Sequence, residues 1–183
     1  MFAQLVKITI DIRDKYKFFI LLLLSSNFFD SSITTVEETI SKIRDDLSKK
    51  PRDINLNKKL AEILLKNQNE HRVHEAGESV KIILEQNPAD VDAKILKTRT
   101  YRLLNDFDNA QFEVDNLLET DPKNPNVLEE KGRIYLDKNN FPLAEHWLSQ
   151  ALGIDPDNSR IGRALSLALS AQEKKAEEIT LLN

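Results

Sequence analysis

His71 and His74 stand three residues apart, with Glu70 and Glu75 beside them. On a helix that spacing sets two imidazoles on one face, the arrangement from which zinc sites are built. No motif supplies a third ligand, so the group reads as a polar turn and no metal is expected. His146 adjoins Trp147, which reads as a packing residue. The chain has no cysteine, which excludes disulfides, thiolate metal sites and cysteine nucleophiles. It also shows no glycine-rich phosphate loop, nucleophile elbow or H-E-x-x-H pattern. The expectation is a protein that is not an enzyme and uses no cofactor. The net charge of −4 over 183 residues argues equally against nucleic acid as a partner. Arginines are the other residues with chemical potential: Arg99 and Arg133 are 34 residues apart, and guanidinium groups suit carboxylates.

The elements that would position these side chains keep the same step. Only four glycines and six prolines punctuate the sequence, which favours helix. Asn87-Pro88, Asp121-Pro122 and Asp155-Pro156 place prolines 34 residues apart, twice. Ala76, Ala110 and Ala144 keep that step, as do Leu84, Leu118 and Leu152, Tyr101 and Tyr135, and Val73, Phe107 and Phe141. Several series in one register define an internal repeat. Each unit reads as a helix, a turn and a second helix. The first helix carries a small residue at a close crossing: Ala61, Thr98, Gly132 and Ser166. The second carries the alanine and an apolar stripe: Val80 and Ile83, then Val114 and Leu117, then Leu148 and Ala151. Proline ends the second helix, because the residue before it is pushed out of the α region. The adjoining Asn or Asp is expected to cap the next helix. Counting from Pro51 and back from Pro88 gives registers three residues apart, which predicts a three-residue insertion in the turn around residues 67–74.

This pattern resembles that of the tetratricopeptide-repeat family: a small residue and Tyr on the first helix, then Ala, an aliphatic residue and Pro on the second. Gly132, Tyr135, Ala144, Leu148, Ala151 and Pro156 carry the resemblance best. The stretch before it departs from the pattern, with Thr98 for Gly and Lys94 and Lys97 at apolar positions. The fold implied is all-α: an α-solenoid of about three helical hairpins over residues 52–172, with an N-terminal helix at 34–50 and a C-terminal capping helix. Residues 173–183 read as a charged end. The function implied is a scaffold or adaptor that holds a protein or peptide.

In that family the first helices line the inner, concave face. The resemblance therefore implies a partner-binding set of Lys58, Ile95, Arg99, Arg102, Arg133, Leu136, Arg160 and Arg163, and a groove for a peptide bearing acidic residues. The alternative is that the arginines pair with Glu129, Glu130 and Asp92 on a solvated face. The carboxylate-clamp subgroup uses Lys then Asn on the first helix. Lys58 matches, but Glu62 stands where Asn is needed, so no co-chaperone role is assigned.

Residues 1–33 lie outside the period. Phe18 to Leu24 is apolar but far shorter than the ~20 residues of a spanning helix. It resembles the core of an export signal, yet Asp11 and Asp14 precede it and no A-x-A site comes after it. Two readings stand: export or membrane attachment through residues 1–29, in a protein that helps assemble an envelope complex, and a cytoplasmic chaperone or regulatory subunit whose N-terminal segment belongs to the fold or interface. Homo-oligomerisation through the apolar segment fits either. In residues 34–50, Thr34 or Thr35 with Glu37 or Glu38 suggests a capping box, and Val36, Ile40, Ile43 and Leu47 form a stripe expected to pack on the first repeat.

Overall fold

The computed structural model describes residues 35–66 and 69–181. The expectations for residues 1–33, including export and membrane attachment, lie outside the described residues. Residues 35–49 form helix α1, within a unit of its own that ends at Lys49. Its stripe is as spaced in the sequence: Ile40 and Ile43 are buried, with Val36 and Leu47 half-buried. Among the described residues, no helix is long and apolar enough to cross a membrane.

The second unit, from Lys50 onward, contains α2 (Ile54–Lys66), α3 (Glu70–Gln86), α4 (Val91–Leu103), α5 (Phe107–Thr120), α6 (Pro125–Asp137), α7 (Phe141–Ile154) and α8 (Ser159–Leu181). Helices α2 with α3, α4 with α5, and α6 with α7 form three hairpins, and α8 packs on α7 as the first helix of a fourth. The first helices also touch one another directly, α2 with α4, α4 with α6, and α6 with α8. Among the described residues, the second helices α3, α5 and α7 make no such contacts with one another. The first helices are thus the inner layer of the stack and the second helices the outer one.

The 34-residue series are the core. Ala76, Ala110 and Ala144 are fully buried, as are Val80, Val114 and Leu148. Gly132 shows why a small residue is needed at the crossing: a Cβ there would lie 2.5 Å from Leu148 Cγ. Ile95, Ala110, Val114, Leu117, Val127 and Ile134 join hairpins two and three in one apolar cluster. Leu128, Ala151 and Ile161 bring α8 into the next, with Trp147 packed against them. Full burial of each such aliphatic side chain contributes about 1.5–3 kcal/mol relative to exposure.

The helix ends show two further periodic series. Asp53, Asp90, Asn124 and Asn158 accept backbone N–H groups at the starts of α2, α4, α6 and α8. Asn69, Asp106 and Asn140 do the same for α3, α5 and α7. The Asn or Asp before each proline does something else. Asn87, Asp121 and Asp155 close the preceding helix, each donating its backbone N–H to the carbonyl four residues back. The true N-cap comes three residues later. The inserted residues also sit differently from expectation. The addition is absorbed as one more turn of helix, making α3 17 residues long against 14 for α5 and α7.

Candidate functional site

The inner layer carries most of the residues expected to bind a partner, and its chemistry is dominated by two adjacent carboxylates on α6. Glu129 and Glu130 are 0% and 1% exposed. Burying a charge without compensation is prohibitive, so each must be paired. Glu130 takes its partners from α4: Arg99 Nε donates to Oε1 at 2.7 Å, and Arg102 Nε to Oε2 at 3.3 Å. Glu129 faces the other way. Arg133 Nε on its own helix donates to Oε1 at 2.7 Å. Arg160 Nη2 on α8 approaches Oε2 to 2.5 Å, an ion pair without hydrogen-bond alignment. Arg133 also donates to the Arg160 carbonyl and Arg160 to Asn126 Oδ1. Arg102 is completed by Asp137.

The electrostatics result from this packing. Burial acts to raise the Glu130 carboxyl, but the charges of Arg99 and Arg102, the Arg99 hydrogen bond and the more distant Arg133 outweigh it, and the group lies below its ordinary range. Burial likewise acts to lower the Arg102 guanidinium, and Glu130 and Asp137 reverse the direction. At the other end of the layer, the Lys58 ammonium is raised chiefly by its hydrogen bond to Asp92, across the α2–α4 boundary. Ion pairs therefore connect every adjacent pair of first helices: α2 to α4, α4 to α6, and α6 to α8.

Four of the eight expected residues come together. Lys58, Ile95, Arg99 and Arg160 line a polar cavity of about 370 Å³ with Glu62, Lys66, Asp92, Leu96 and Asn126. Arg102 is buried beneath the layer. Arg133 is partly exposed but held by Glu129. Leu136 packs with Ala144, Leu148, Ala164 and Ala168. Arg163 is exposed and has no ion-pair partner among the described residues; nearby in sequence, Leu167 is 59% exposed. In the sequence, Glu129 and Glu130 read as counter-ions on a solvated face; the structure buries both. Asn126 lines the cavity although the expected binding set does not include it.

His71 and His74 are exposed on the first turns of α3, with His74 4.0 Å from Glu70. No cluster of three metal-ligating side chains occurs among the described residues. Trp147 is half-buried, and the Lys131 ammonium sits 4.1 Å from its ring centroid.

A stack of helical hairpins with an ion-paired inner layer defines an all-α solenoid. Residues 102–168 match the tetratricopeptide repeat family. No curated protein matches it. Among solved structures, a thermophilic tetratricopeptide-repeat protein of Thermus thermophilus superposes with a TM-score of 0.61 at 19% identity, over 80% of this chain and 84% of that one. One from Parabacteroides merdae gives 0.62 at 15% identity, over 80% and 56% of the two chains. The protein MamA gives 0.54 at 13% identity, over 81% and 80%. At these identities the likeness is one of fold.

Proposed function

We propose that this protein–protein interaction scaffold holds its partner segment on the inner face of the first helices, and that it acts as a non-catalytic adaptor. The observation that carries this reading is the cavity lined by Lys58, Ile95, Arg99 and Arg160, drawn with Asn126 from all four first helices. It combines basic heads with the apolar surface of Ile95 and Leu96. A partner segment presenting an acidic side chain beside an aliphatic one matches that surface, because a guanidinium held in place loses little further freedom on pairing.

The test must avoid the arginines that neutralise buried glutamates, since their loss would unfold the layer rather than block it. Arg163 and Leu167 are exposed and free of that duty. The variant Arg163→Glu/Leu167→Glu should keep its helical content and melting temperature, yet lose most partner recovered from native extract by the tagged protein. Unchanged recovery would place the partner elsewhere.

A further inference from the structure

Four guanidinium groups on the inner layer, Arg99, Arg102, Arg133 and Arg160, meet three carboxylates, Glu129, Glu130 and Asp137. Within that group one net positive charge remains, and Arg163 stands exposed beyond it. Two of those carboxylates are fully buried, so solvent and salt do little to loosen their grip. The arginines keep their positions and their remaining N–H groups, but not their long-range field.

We infer that Glu129 and Glu130 determine the specificity of this face: by cancelling the arginine charge from beneath, they make it reject generic polyanions and admit only a segment whose carboxylate fits the fixed guanidinium geometry. Non-specific polyanion binding draws on free cationic charge and counter-ion release. A paired arginine has already released its counter-ion and contributes little to either. Short-range bonding to a matched carboxylate survives, because it depends on the placement of individual N–H donors. The same carboxylates act as positioning residues. Glu130 orients Arg99 towards the cavity, and Glu129, with Asn126, orients Arg160. The inference rests on the inner layer being the partner face, and its test uses no partner.

The probe is a fluorescein-labelled polyglutamate peptide, titrated with full-length protein and read by anisotropy at low and physiological salt. Wild type should bind it weakly at both. Glu129→Gln/Glu130→Gln should bind at least about tenfold more tightly at low salt and lose that gain as salt rises. Glu78→Gln/Glu119→Gln removes the same charge from exposed outer-layer positions and should behave as wild type. Should the buried pair prove too damaging to the fold, the single variant Glu129→Gln keeps Glu130 with its two α4 arginines, frees the cavity-lining Arg160, and should shift affinity in the same direction. Tight polyglutamate binding by wild type, or equal affinity in wild type and every folded variant, overturns the inference. If polyglutamate shows this pattern while Arg163→Glu/Leu167→Glu leaves partner recovery intact, the charge filter stands and the partner face does not.

Discussion

At the scale of single residues, Glu130 sets the terms for the inner layer. Its carboxyl is desolvated, yet its folded pKa is below the ordinary value of 4.5 because Arg99 and Arg102 favour the charged form. A carboxyl depressed in the folded state stabilises that state fully above its unfolded pKa, and the contribution disappears as pH falls through the folded value. Equilibrium unfolding should therefore show little pH dependence from this group near neutrality and a falling stability below about pH 4.5. Glu130→Gln should cost about 3–5 kcal/mol at pH 7, since it leaves Arg99 and Arg102 without their shared counter-ion. It should also flatten the acid limb measured by urea denaturation across pH. An unchanged acid limb in a folded Glu130→Gln protein would mean that this carboxyl is not the titrating group. The role is hard to read in sequence. Glu129 and Glu130 look like two more solvated acids on a charged helix, and only the arrival of α4 and α8 from neighbouring hairpins makes their burial tolerable.

At the scale of elements, the hairpin crossing and the turn are much more legible. The small residue, the alanine and the proline fall at fixed positions because helices can approach closely only where side chains are small. Gly132 is the strictest case, with Leu148 in the space its Cβ would need. Gly132→Ala should destabilise the protein by about 1–3 kcal/mol through overpacking. The same change at Gly153, which meets nothing within 4 Å, should be neutral or slightly stabilising, since alanine is the better helix former. Thermal melts of the two variants give the comparison, and equal melting temperatures would contradict the packing account. The turns hold a second regularity. Asn105 and Asn139, 34 residues apart, both adopt positive φ, at 60° and 56°, a conformation asparagine tolerates better than most residues. The capping series are present in the sequence in the same register, but the Asn-Pro and Asp-Pro steps point to the wrong end of the turn. The three inserted residues are detectable from sequence but not placeable. A register difference reports how many residues are added, not whether loop or helix absorbs them, and the Asn69 cap is what turns these three into helix.

At the scale of the whole repeat array, the period fixes which helices face inward, and pairing between repeats decides what that face offers. The period reveals the stack of hairpins in full. It shows the binding face only in outline, because periodicity gives positions while charge depends on which side chains meet across repeats. Arg99 and Arg133 do occupy equivalent positions, but each is committed to a different glutamate. The central claim is that partners are held on the inner layer, and the absence of cysteine makes it directly testable. A single cysteine introduced at Glu62, exposed at the inner cavity, and another at His146, exposed on α7 of the outer layer, can each carry the same short photo-cross-linker. Irradiation in native extract should give a discrete protein adduct from Glu62→Cys and none from His146→Cys. Adducts from His146→Cys alone, or of equal yield from both positions, would contradict the account.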